Sequence, residues 1–177
     1  EGERGREGLY IGESELIINS DIGEKLSGSL TAAIVREDGA DKIELEEAYV
    51  ETLDGSFLDN TFFKFGRAFW NVGVLNQQHA HADDFADRPL PYRVFLNKAY
   101  NDDGLEASYL FGSSEIGFGI FRGEDFPFGN TAGSEGSGSD AWSAFYKSTL
   151  NLSNTEELAF NLYHLSGKSR SPNARLG

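Results

Sequence analysis

FFKFGRAFWNVGVLNQQHAHADDFADRPLPYRVFLNKAY, residues 62–100, opens as an aromatic, strand-like run and then turns into a long polar connection. The connection holds His79, His81, Asp83, Asp84, Asp87 and Arg88, and closes on Pro89 and Pro91. No other segment sets so many ligand-type side chains among so many apolar anchors. A strand that feeds directly into such a loop fits a β-barrel whose loop folds inward, and the flanking sequence can be read against that expectation.

Upstream, residues 9–18 (LYIGESELII) read as a strand, with a turn at 21–24. Residues 25–35 alternate cleanly. Leu26, Gly28, Leu30, Ala32 and Ile34 share one face, and Ser27, Ser29, Thr31 and Ala33 share the other. A period of two is the signature of a strand with one apolar and one polar side. Asp38-Gly39 marks the next turn. Residues 42–53 have helical propensity, but Ile43, Tyr49, Val50 and Thr52 favour a strand. Its faces are ambiguous, because Glu44, Glu46, Glu47 and Glu51 fall on both. Residues 61–74 form the aromatic strand.

Downstream, Asp102-Asp103-Gly104 reads as a turn, and residues 104–111 and 115–122 as a hairpin. Residues 123–140 (GEDFPFGNTAGSEGSGSD) read as a flexible loop. Residues 141–152 and 157–165 make a last hairpin. The expectation is an all-β, antiparallel up-and-down arrangement of about eight strands in a single domain over 1–177. Residues 75–103 are its inward loop, and 123–140 an extracellular one.

Short turns follow the odd strands, and longer or more charged connections follow the even ones. Outer-membrane barrels have short periplasmic turns and long extracellular loops. On that rule the first strand runs from outside to inside, so the chain is expected to be an internal fragment of a larger barrel. Rings near the predicted strand ends, Tyr10, Phe57, Phe62, Trp70, Tyr109, Phe111, Trp142 and Tyr146 among them, suit an interfacial girdle. They would serve equally as the core of a soluble sandwich.

Composition narrows the classes. Across 177 residues the hydrophobic fraction is 39% and the aromatic fraction 13%, more than a disordered chain carries. No apolar run is long enough for a membrane-spanning helix, which leaves barrels untouched. The net charge of -14 disfavours nucleic acid and favours cations. Cysteine is absent, so neither disulfides nor thiolate metal sites are available. The sequence has no Gly-x-Ser-x-Gly, His-Glu-x-x-His or phosphate-binding loop, and an enzyme is not expected.

The segments IGESELIINSDI, EEAYVETL, FKFGRAFWNVGVLNQQHAHADDFADRPLPYRVFL and YNDDGLEASYL resemble a family of Gram-negative outer-membrane proteins. These are porin-like barrels akin to the phosphate-selective porins, often labelled zinc-regulated or TonB-dependent outer-membrane receptors. The resemblance covers about two thirds of the chain and includes the specific LN-x-QHAHAWDF-x-D-x-PLPYR-x-F loop motif. It departs at Asp83, where the family usually has Trp. It implies a location in the outer membrane, contact with its lipid, and passive passage of small hydrophilic solutes or cations. An oligomer is compatible with it. A soluble jelly-roll module that binds a ligand through the 75–103 loop is the alternative.

Two kinds of chemistry are expected in the loop. Arg67, Arg88 and Arg93 opposite Glu47, Glu51, Asp84 and Asp87 would set a transverse field across a pore constriction. The same charges could instead pair and simply hold the loop. His79 and His81, two apart, point the same way in extended backbone, and with Asp83 they could capture Zn2+. They could equally hydrogen-bond and pin the loop.

Overall fold

The computed structural model describes residues 13–37, 40–53, 57–78, 83, 87–97, 99–129, 140–153 and 155–168. Its strands are β1 (Glu13–Ile22), β2 (Leu26–Glu37), β3 (Ala40–Thr52), β4 (Thr61–Phe69), β5 (Asn101–Phe111), β6 (Ser114–Phe121), β7 (Ala141–Asn151) and β8 (Glu157–Gly167), with one short helix, α1 (Leu90–Phe95). They form one eight-stranded sheet in strictly sequential order, every neighbouring pair antiparallel. The expected up-and-down architecture is present. The sheet is open: β1 and β8 do not pair with each other, so it is not closed into a barrel. A jelly roll interleaves its strands between two sheets, and this sequential single sheet is not that architecture.

The register sorts the side chains onto two unlike faces. Across β4 to β7, Phe63 pairs Ala107, Ala107 pairs Phe118, and Phe118 pairs Ala144, all on one face. One row along, Phe65, Leu105, Ile120 and Trp142 line up in the same way. In β1 and β2 the pairs Leu16–Ala32, Ile18–Leu30 and Ile22–Leu26 extend this face. It holds most of the large exposed hydrophobics, including Ile43, Phe65, Ile116, Phe118, Phe160 and Leu162. The alternation expected for β2 is therefore borne out. At a spacing of ~4.8 Å the strands make a patch roughly 40 Å wide, well beyond the few hundred Å² a soluble monomer usually exposes.

The opposite face is polar. Glu51, Lys64 and Glu106 are in direct register, as are Glu115, Lys147 and Asn161. Glu47's position had been ambiguous because β2 and β3 slip by one residue between Thr31 and Ala32. Thr31 pairs Glu47 and Ala32 pairs Leu45, so Glu46 is the extra residue of a β-bulge. With that insertion Glu44, Glu47 and Glu51 all fall on the polar face.

Four boundaries differ from expectation. β1 (Glu13–Ile22) runs past the expected end at 18, residues 9–12 of the expected strand lying outside the described residues, and its turn moves to 23–25. β4 stops at Phe69, not Val74, because Trp70 leaves the sheet and buries its ring on the polar face. Asp102-Asp103-Gly104 is strand, not turn. Each carboxylate there has fixed donors, and Gly104 leaves space for the Phe121 ring, which a Cβ would overlap. The alternation of connections holds only from β4 onward, since β2 ends at Glu37 and β3 already begins at Ala40.

A small core sits at the end of the polar face where the long connections leave. Trp70 and Tyr100 are fully buried beside Phe121, with ring centroids 5.1 and 5.4 Å away. Phe128 meets Tyr100 edge-on at 6.0 Å. The start of the 123–140 segment is thus packed rather than loose, while its 130–139 stretch lies outside the described residues. Burial of a Trp side chain stabilises by about 3 kcal/mol, so this cluster is a strong anchor for whatever leaves the sheet beside it.

Candidate functional site

The segment between β4 and β5 meets the polar face through Trp70, Asn71 and Tyr100, and is tied there at its neck. Asn76, fully buried, does most of this. Its Nδ2 donates to the carbonyls of Trp70 and Tyr100, each at 2.8 Å, and its Oδ1 accepts from the Tyr100 N–H at 2.7 Å. The Trp70 indole N–H donates to the Asp102 carbonyl at 2.8 Å. The Tyr100 hydroxyl donates to Asp102 Oδ2 at 2.9 Å, and the N–H of Gly123 donates to the same oxygen at 2.7 Å. Burial, with the Asp102 carboxylate beside it, holds the Tyr100 hydroxyl far above the ordinary phenol range.

Further along, the Leu75 N–H donates to the Tyr92 hydroxyl at 3.1 Å. Gly73 is needed there because a Cβ would overlap that hydroxyl. Tyr92 sits in α1, which starts after Pro89 and carries Pro91 in its first turn, where a missing N–H is harmless.

The expected site residues separate into distinct groups. Arg88 is buried and donates to both oxygens of Asp83, at 2.6 and 3.2 Å, and to the Gln78 carbonyl. The side chains of this pair are 3% and 9% exposed, so the Asp83 carboxylate serves as the counter-ion of Arg88. Arg93 and Asp87 are exposed and 3.8 Å apart. Glu47 accepts from the Phe69 N–H at 3.4 Å, and Glu51 pairs with Lys64 at 3.5 Å on the polar face.

Arg67 is placed elsewhere. Its register partners, Ala48 and Asp103, put it on the apolar face, at the rim. There it bonds Asp103 at 2.9 Å and Asp125 at 3.1 Å, while Arg122 bridges Asp103 and Glu124. His79, His81 and Asp84 lie outside the described residues. Among the described residues no group of three His, Cys, Asp or Glu is arranged to hold a metal ion.

Sequence reasoning missed the residues that join loop to sheet. Asn71 donates through Nδ2 to Glu106 Oε1 at 2.6 Å and through its N–H to Oε2 at 3.3 Å. Lys147 donates to Asn71 Oδ1 at 2.5 Å and lies 3.6 Å from Glu115. A signal for two of these exists in the sequence: Glu115 and Lys147 are the single charges of β6 and β7, and with Glu106 of β5 they sit at polar-face parity.

No family model matches the chain, and no solved structure matches it. A protein of Aquifex aeolicus (strain VF5) described as uncharacterized is 35% identical over 74 residues. That match covers 42% of this chain and 15% of the relative, so the shared stretch is a small part of the relative's length.

Proposed function

We propose that this sheet is a section of the wall of a porin-like channel in a Gram-negative outer membrane, with the 70–100 segment as its constriction. The carrying observation is the two-faced sheet. A continuous exposed apolar face lies opposite a polar face, and the one long folded segment is tied to the polar side.

Lipid contact accounts for the apolar face, which no element among the described residues covers. From Trp142 to Leu150 that face spans about 27 Å along β7 at ~3.4 Å per residue. Tilted by ~40°, the run approaches the ~25 Å apolar band of outer-membrane barrels. Two chains of ring contacts run across this face. Tyr109, Phe111, Tyr146 and Phe160 form one chain of ring contacts, and Phe118, Trp142 and His164 another.

The edges of β1 and β8 are then completed by pairing with each other or with further strands, because open edges in a membrane leave backbone groups unsatisfied. The solutes are small, hydrophilic or cationic, as the acidic balance favours. The expected behaviour is extraction only with detergent, heat-modifiable gel migration, and conductance in planar bilayers. Release into buffer without detergent refutes the proposal.

A further inference from the structure

We propose that Glu51, Lys64, Glu106, Glu115 and Lys147 form a charge-selective row on the polar face that favours small monovalent cations over anions. This rests on the channel reading above. The row crosses five strands, since Glu51, Lys64 and Glu106 are in direct register on β3, β4 and β5, Glu115 lies on β6 in register with Lys147, and Lys147 reaches in from β7. It borders a cavity of about 340 Å³ lined by Glu51, Lys64, Asn71, Glu106, Ser108 and Glu115.

Each lysine is already committed to a carboxylate, Lys64 to Glu51 at 3.5 Å and Lys147 to Glu115 at 3.6 Å. Lys64 also lies 4.3 Å from the centre of the Tyr49 ring, which fixes its ammonium in place. Glu106 is buried, and both of its oxygens accept from Asn71. Three carboxylates thus stand against two ammoniums, and the excess is negative. The members of the two ion pairs are partly exposed, so their fields reach the space above the sheet. Because Asn71, at the neck of the 70–100 segment, touches both Glu106 and Lys147, the row adjoins that neck on the polar face. A solute passing there crosses fixed charges of alternating sign with a net pull on cations.

The test is the reversal potential of the full-length protein in planar bilayers under a KCl gradient, with heat-modifiable migration confirming that each variant folds. One charge about 5 Å from a passing ion in a water-like medium, moderated by screening, changes the K+/Cl− permeability ratio roughly fivefold. The wild type is expected to prefer K+. Glu51→Gln and Glu115→Gln should each lower the ratio by about that factor, and Lys64→Gln should raise it. Opposite shifts of this kind support the row. Channels whose ratio stays within about twofold in all three variants overturn the row and leave the channel standing. Folded protein that gives no conductance overturns both.

Discussion

Ala107 and Ser108 are adjacent on β5 and face opposite ways, so one substitution placed at each tests the proposed lipid contact of the apolar face against the polar one. Ala107 lies between Phe63 and Phe118 in register, near the middle of the apolar face. Ser108 lies between Phe62 and Gly117 and lines the cavity with Glu51, Glu106 and Glu115. Ala107→Lys has steric room, because Ala107 and Ala144 floor an open groove of about 580 Å³. Its effect is therefore almost purely one of solvation. A lysine on the lipid face near the bilayer midplane costs about 2–4 kcal/mol. At a partly exposed position in water the same change stays within about 0.5 kcal/mol. Ser108→Lys, among three carboxylates, should also stay within about 0.5 kcal/mol. The assay is reversible denaturant unfolding from lipid vesicles, followed by tryptophan fluorescence. The expected gap between the variants is about 2–3 kcal/mol, or roughly 30- to 150-fold in the equilibrium constant. Equal stabilities refute the assignment of the apolar face to lipid.

Three further outcomes follow from the geometry. Asn76→Ala removes three buried hydrogen bonds at the loop neck and should destabilise by about 3 kcal/mol, with faster proteolysis within 70–100 as the local readout. Arg88→Ala leaves the Asp83 carboxylate buried without its partner and should cost about 3–5 kcal/mol of local stability; hydrogen exchange at Gln78 and Tyr92 reports it, and unchanged protection would contradict the pairing. Gly117→Ala drives a Cβ into the Phe145 ring, and a loss of about 1–3 kcal/mol in the denaturation midpoint is expected.

Much of the sheet was legible because its information is local. The alternation in Leu26–Ile34 needs no tertiary knowledge, and the strand count followed from such runs and their turns. Where a single residue breaks the period, local reading fails. The bulge at Glu46 shifts the parity of β3, and its acids looked two-faced until the pairing with β2 was known. Asp102-Asp103-Gly104 has turn chemistry, yet Tyr100, Gly123, Arg67 and Arg122 satisfy its carboxylates and allow it to remain strand. The loop was legible as a loop, but its fastening was not. Asn76 is an ordinary polar residue in sequence, and its work depends on Tyr100, 24 residues away. Arg67 sat beside expected constriction residues in the chain, but strand parity sends it to the opposite face.

The neck at Asn76 has a bearing on how such a chain can diversify. Trp70, Asn76, Tyr100 and Asp102 close the segment with bonds made almost entirely among themselves and to backbone. The wall consequently gains its order from the neck and is indifferent to much of what the neck encloses. Exchanges between Gln77 and Asp87 that keep Asp83 and the Gln78 carbonyl in place for Arg88 leave the neck bonds untouched, so the strands on either side keep their register. The neck thus works as a fixed collar, and change beyond it is uncoupled from the pairing of the strands it joins.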